Sequence, residues 1–295
     1  MEAGKSMKIM VTGAGGFVGS RLTAYYGEKY DVWGVTHKDL DLTDEAAVFK
    51  TVENYRPDVL LHCAAISDVA ECSKKPELSH AVNVLGTEYL AKACGKTGTK
   101  LVMCSSDQVY FRKRGEQESL DAYLEPHWED CIETPEPLYG KQKLQGEEIC
   151  LKYQPESVVL RLSWMYDSLT EEELAKGRRN LATMLREMLN QKQSRKFSDT
   201  DHRGATDVNL VVKNMEAAWK LPGGIYNYGS SNDADMYETV RRVMASFGQE
   251  ALAEKATGGN VRNLMMRTDK LARHGIFFPD TAAGLEAFLR KGGAL

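Results

Sequence analysis

Through the first half of the chain, short apolar runs rich in β-branched residues alternate with longer stretches whose apolar positions recur every three to four residues. KIMVT precedes a helical stretch near Phe17 to Tyr26, DVWGVT one near Asp44 to Tyr55, and DVLLHCAA one near Leu78 to Cys94. KLVMCSS then precedes a helix near Tyr139 to Leu151, and SVVLRLS closes the series. Runs that are apolar throughout, rather than at every second residue, suit strands covered on both faces. Their alternation with helices predicts an α/β fold built on a doubly wound parallel sheet.

Two regions break this rhythm. Phe111 to Pro137 carries Pro126, Pro135 and Pro137 among many carboxylates with no period, and reads as an ordered surface excursion. After Ser163 the pattern loosens into a charged helix from about Glu171 to Gln191, an LPGG turn, a YNYG strand, and helices near Met236 to Phe247 and Ala283 to Arg290. The expected division is a sheet domain over residues 7–163 and a smaller lobe over residues 164–295, interleaved with the main sheet.

Composition narrows the chemistry. The 295 residues carry 38 basic and 42 acidic side chains, a net charge of −4 that offers no general attraction for nucleic acid. The longest nearly apolar stretch, Val59 to Ile66, falls far short of the roughly 20 residues that span a bilayer, so no membrane partner is expected. MEAGKS at the start lacks the apolar run of a secretory leader, and the six cysteines show no CxxC spacing. Both point to reduced thiols and a cytoplasmic location. The six histidines are scattered without HExxH or a Cys/His cluster, and no metal site is expected.

The segment VTGAGGFVGS sets Gly13, Gly16 and Gly19 at GxxGxxG spacing between the first strand and the first helix. The first glycine permits a tight turn, the second a close backbone approach to a pyrophosphate, and the third close packing of helix on strand. Phe17 and Val18 open that helix, completing a dinucleotide-binding turn. The second strand ends in Thr36, His37 and Lys38, where an NAD site would place a carboxylate for the ribose hydroxyls. Donors and a cation there suit a 2′-phosphate and favour NADPH, with NADH the alternative and a solvated loop lysine the bland reading. In DLTD, Asp41 with Leu42 could hold the adenine; equally, Asp41 or Thr43 could cap the next helix.

Further along, Ser106 ends the strand KLVMCSS, and Tyr139 and Lys143 form YxxxK at the start of the following helix. The spacing puts phenol and ammonium one turn apart on one face. An ammonium beside a phenol is expected to lower its pKa and fit it for proton transfer to a substrate oxygen.

In this order, the glycine turn, the serine and YxxxK resemble the extended short-chain dehydrogenase/reductase superfamily with its Rossmann fold. Within it, the dTDP-4-dehydrorhamnose reductases are the most similar. The segments that carry the likeness are PDVLLHCAAISDVAECSKKPELSHAVNVLGTEYLA, KLVMCSSDQVY, PLYGKQKLQGEE, VVLRLSWMY, DHRGATDV and RTDKL.

The resemblance implies a nucleotide-sugar substrate and a catalytic set of Ser106, Tyr139 and Lys143, the latter two also touching the cofactor. Ala64 and Ala65 would line the cofactor, and Asn83 would order a relay water near Lys143. Ser106, Asp107, Gln108 and Trp164 would face the sugar, although Trp164 reads equally as a core aromatic. A homodimer is compatible with the resemblance.

The related dehydratases need an acidic pair at TDEVYG, and SDQVYF here has Gln108 instead, which cannot act as a base. Epimerases, and a non-catalytic subunit resembling the methionine adenosyltransferase β subunit, remain as alternatives. The chain departs from the reductase pattern in its long RKRGEQESLDAYLEPHWED excursion, in RGATDV where GxPT is usual, and at Asn263 where proline is usual.

Overall fold

The computed structural model describes residues 6–131, 134–169, 171–175 and 177–291. Strands β1 (Lys8–Thr12), β2 (Asp31–Val35), β3 (Val59–His62), β4 (Lys100–Ser106) and β5 (Val158–Leu162) join the strand Gly224–Tyr228 in one six-stranded sheet. Its order is Gly224–Tyr228, β5, β4, β3, β1, β2. β1 pairs in parallel with β2 on one side and β3 on the other, with Thr12 opposite both Val35 and His62. The succession of strands therefore reverses between β1 and β3, and the crevice beyond the carboxyl ends at such a reversal is where open α/β sheets hold ligands.

The chain forms two compact units. One comprises Met1–Val109, Thr134–Arg161 and Val212–Tyr226; the other comprises Tyr110–Glu133, Leu162–Val211 and Asn227–Leu295. This division differs in two places from the expected ranges 7–163 and an interleaved 164–295. Residues 212–226 return to the sheet unit because Tyr26 donates its hydroxyl proton to the Val212 carbonyl (2.8 Å) and packs its ring 5.0 Å from Trp219. The excursion belongs with the C-terminal residues, for reasons of backbone hydrogen bonding. Asn263 donates to the carbonyls of Tyr123 (2.7 Å) and Glu125 (2.8 Å), and Asn227 to those of His127 and Arg267 (both 2.9 Å). The Tyr110 hydroxyl donates to Asn227 Oδ1 at 2.7 Å, and its ring stacks on His127.

Each unit has its own core. In the sheet unit, Met10, Leu60, Leu101 and Val159 from the strands meet Val48, Val52, Leu90 and Cys150 from the covering helices. In the second unit, Leu181, Leu185, Val240, Val243, Leu285 and Leu289 come from three helices, consistent with apolar residues at three- and four-residue spacing.

Two expected helices are subdivided. The stretch near Leu78 to Cys94 consists of Pro76–His80, a widened π turn at Ala81–Leu85, and Gly86–Thr97. The stretch from Glu171 to Gln191 holds separate helices Glu171–Ala175 and Leu181–Gln191. Gly177 lies between them at φ +74°, and Asn180 starts the second helix with a reciprocal cap to Thr183. No helix among the described residues is long and apolar enough to cross a membrane.

Candidate active site

β1 delivers the chain into the glycine turn. Gly13 has φ +71°, and a Cβ there would lie 2.7 Å from the Ala64 nitrogen, so only glycine lets this turn sit against the end of β3. A Cβ on Gly19 would collide with the Gly13 carbonyl; this glycine seats the helix Phe17–Gly27 on the turn. Gly16 is the N-cap of that helix and brings no capping side chain, which leaves first-turn N–H groups for an anion. A cavity of about 730 Å³ opens here.

Its walls include Gly13, Gly16, Ala64 and Ala65, and, from the loop after β2, His37, Lys38, Asp41 and Leu42. Eight of the residues singled out in the sequence therefore converge on one cavity. Phe17, Val18 and Gly19 are not among its walls. Phe17 carries the Arg21 guanidinium 4.1 Å over its ring instead.

The loop after β2 holds a carboxylate that the sequence reading passed over. Asp39 accepts from the Thr36 N–H (2.8 Å) and hydroxyl (2.6 Å), and these bonds hold its carboxyl below the usual carboxylate range. Asp39 is thus committed to closing the turn, while His37 and Lys38 line the cavity. Asp41 likewise accepts from the Thr43 N–H and hydroxyl at 2.9 and 2.7 Å, and the cap of the next helix is Asp44, bonded to the Ala47 N–H at 3.0 Å. Neither Asp41 nor Thr43 is that cap.

At the end of β4, Ser106 donates to Asp107 Oδ1 (3.2 Å) and accepts from the Gln108 N–H (3.2 Å), while Gln108 Nε2 approaches the same carboxylate at 3.4 Å. The helix Leu138–Tyr153 faces this segment. A Cβ on Gly140 would strike the Gln108 carbonyl, so the glycine inside Y-G-K-Q-K permits the approach that brings Tyr139 to Ser106. Tyr139 is 8% exposed and Lys143 3%.

The expected depression of the Tyr139 pKa is not found. Burial, reinforced by the Asp107 charge, pushes the phenol well above its ordinary 10.0, and a hydrogen bond with Ser106 opposes this only in part. The physical reason is the aim of the ammonium. Lys143 Nζ donates to the Cys104 carbonyl at 2.8 Å and stands 5.8 Å from the Tyr139 ring centre, and burial lowers its own pKa. Tyr139 is held as a neutral acid.

The same helix face continues to Glu147, which no local motif marks. Glu147 and Arg161 form a two-pronged ion pair (Nη2 to Oε2, 2.6 Å; Nε to Oε1, 3.0 Å) with side chains 1% and 3% exposed. Ser105 donates to Glu147 as well, tying the strand end that carries Ser106 to the helix that carries Tyr139 and Lys143.

Asn83 occupies the π turn, and its amide is fully engaged. It accepts from the Ile66 N–H (2.8 Å) and donates to the Ile66 carbonyl (3.0 Å) and Gln142 Oε1 (2.8 Å), while Gln142 donates to Ser79. Its carbonyl takes the Thr87 hydroxyl proton at 2.7 Å. Asn83 thus anchors the loop after β3 to the helix that carries Lys143.

His62 joins the same region. Because Thr87 donates to Asn83, it must accept from His62 Nε2 (3.0 Å), which leaves Nδ1 (2.8 Å) to accept from Thr12. Burial and the Lys143 charge push the His62 pKa down to about 3, so it is neutral.

Trp164 lies in the second unit, in the strand Trp164–Tyr166 paired with Ala205–Asp207. It is half-buried, with the Arg203 guanidinium 5.1 Å over its ring. No cluster of metal-ligating side chains occurs among the described residues.

Residues 7–264 match the RmlD substrate binding domain family. The chain belongs to that family. Among its relatives, the dTDP-4-dehydrorhamnose reductase of Mycobacterium tuberculosis is 35% identical over 182 residues, 61% of this chain and 57% of that protein. The chain thus spans little more than half the length of that relative in the match. Methionine adenosyltransferase 2 subunit beta of Xenopus laevis is 28% identical over 92% of this chain and 83% of its own. The structure of dTDP-4-dehydrorhamnose reductase from Bacillus anthracis in complex with NADP superposes with a TM-score of 0.80 at 21% identity, covering 99% of this chain and 100% of that one. This RmlD-family chain and that enzyme share one fold.

Proposed function

We propose that this RmlD-family chain is an NADPH-dependent reductase of the keto group in a 4-keto-6-deoxy nucleotide sugar, acting in the cytoplasm. The observation that carries the reading is the placement of Ser106 and buried, neutral Tyr139 together at the end of β4, with Lys143 one helical turn on. The relatives named as dTDP-4-dehydrorhamnose reductases support the substrate class.

The cavity fits a dinucleotide on its own chemistry. The Gly13 turn tolerates no side chain, the Gly16 helix start offers N–H groups to a pyrophosphate, and His37 and Lys38 in the cavity wall offer donors to a 2′-phosphate. When bound, NADPH supplies the hydride. Tyr139 donates its proton to the keto oxygen as negative charge develops there, Ser106 hydrogen-bonds that oxygen, and Lys143 returns positive charge to the site. A phenol kept protonated by burial suits this direction of reaction.

Two measurements test the reading. Purified protein is expected to oxidise NADPH only when a 4-keto-6-deoxy nucleotide sugar is added; no turnover across a panel of such sugars would defeat it. Retained NADPH binding without turnover would favour the second reading, a cofactor-binding subunit. That reading rests on the 92% of this chain matched by methionine adenosyltransferase 2 subunit beta. Lys38→Glu is expected to weaken NADPH binding at least about tenfold more than NADH binding, roughly 1.4 kcal/mol of selectivity. Equal losses in a fluorescence titration would remove the phosphate from Lys38.

A further inference from the structure

Two thiols meet beneath the cofactor cavity. Cys63 directly follows β3 and Cys104 lies within β4, one step beyond the paired residues His62 and Met103 in a parallel ladder. Their sulfurs are 3.5 Å apart, at hydrogen-bond distance. Cys63 is half-buried and forms part of the cavity wall beside Ala64 and Ala65, whereas Cys104 is 6% exposed. Neighbouring strands run about 4.8 Å apart, within the Cα separation that a disulfide spans.

The other thiols of the sheet unit differ. Cys94 and Cys150 are wholly buried, and burial raises their pKa values. Cys72 is also buried and has its proton directed to the Ile66 carbonyl. Only the pair at the cavity combines a partner sulfur with an opening to a small reagent.

We propose that Cys63 and Cys104 form a redox pair that closes to a disulfide under peroxide, and that closure and dinucleotide binding oppose one another. The second half rests on the cofactor reading above; the first does not. In the reaction, Cys104 first gives its proton to solvent, the Cys63 proton passes to the Cys104 thiolate across the 3.5 Å contact, and the Cys63 sulfur attacks one peroxide oxygen. The O–O bond breaks, and the departing hydroxide takes up a proton to become water. The Cys104 sulfur then attacks the Cys63 sulfenic acid, the S–O bond breaks, and the Cys104 proton leaves with the hydroxyl as a second water. Two thiols lose two electrons and the peroxide gains them.

Hydrogen bonding from Cys63 lowers the Cys104 pKa, with the Lys143 charge assisting, while the same bond and burial raise that of Cys63; the thiolate therefore forms on Cys104 and reaches Cys63 by proton transfer across the contact. Closure draws the two sulfurs from 3.5 Å to the roughly 2 Å of a bond, pulling on the segment that continues into Ala64. Ala64 is in turn the close neighbour of Gly13, so the strain falls on the glycine turn. A dinucleotide in the cavity would cover Cys63 and shield it.

The test uses the full chain treated with hydrogen peroxide, with and without saturating NADP⁺, then mapped by peptide mass spectrometry. The expected result is a Cys63–Cys104 cross-link with loss of two mass units, reversed by dithiothreitol and absent in Cys104→Ser. Its formation is expected to slow by at least about tenfold with NADP⁺, and the cross-linked protein to bind NADPH at least about tenfold more weakly. No cross-link at this pair, or linkage of other cysteines in its place, would overturn the redox pair. An undiminished rate with NADP⁺ shown by fluorescence to be bound would overturn the opposition. A protein that forms the cross-link but binds no dinucleotide would establish the redox pair and remove the cofactor reading instead.

Discussion

Tyr139→Phe is expected to lower the rate of keto-sugar reduction by about 10²- to 10⁴-fold while changing NADPH affinity by less than about tenfold. The substitution removes one oxygen from a ring that is already buried, so packing is preserved and the loss falls on proton donation. The pH dependence follows from the direction of the Tyr139 shift. Burial holds the phenol above 10.0, the acid form is the one reduction requires, and the rate is therefore expected to stay level from about pH 7 to about pH 9. It falls only as pH rises through the elevated pKa. A decline centred near pH 7 to 8, absent in a phenol-independent binding assay, would show that Tyr139 titrates as Lys143-assisted phenolate. That result would overturn the neutral-acid assignment.

Arg161→Met carries the largest expected loss of stability. It leaves Glu147 charged, almost wholly buried and stripped of its two-pronged partner, a change that costs about 3–5 kcal/mol. Urea denaturation is the measurement, and a loss under about 1 kcal/mol would show that water reaches Glu147. The paired substitution Arg161→Met with Glu147→Leu is expected to recover much of the stability, because no charge is then left unpaired. Turnover should not recover with it. Ser105 loses its acceptor in the double variant, and with it the tie between the Ser106 strand end and the Tyr139 helix.

Sequence legibility followed the range of the interactions. The strands β1 to β5 were readable because strands covered on both faces are apolar at every position, and the cavity was readable because its glycine spacing is local. YxxxK placed Tyr139 and Lys143 on one helix face, but not where the ammonium points; that depends on the Cys104 carbonyl, 39 residues away. The pairing of Glu147 with Arg161 was not legible, since nothing local in QGEEI or VVLRL marks which members of a charged helix and an apolar strand meet. A signal was present, however: Arg161 interrupts a run that is otherwise apolar, and a buried cation demands a partner. The excursion resisted for the converse reason. Its anchors, Asn227 and Asn263, lie roughly a hundred or more residues downstream, and their amide N–H groups act on backbone carbonyls, which carry no residue-specific pattern.

Asn263 also bears on how such an excursion could be inherited. Its amide serves two backbone carbonyls of the inserted loop and, through Oδ1, the Met265 N–H at 3.0 Å, whereas a proline there would offer no side-chain donor. Side chains along the outer face of the loop are free to drift, because the anchor reads only main chain. The loop and its distant asparagine therefore travel as one cassette: transplanting residues 110–131 into a proline-bearing relative would leave the graft without one of its two asparagine fastenings unless position 263 were exchanged at the same time.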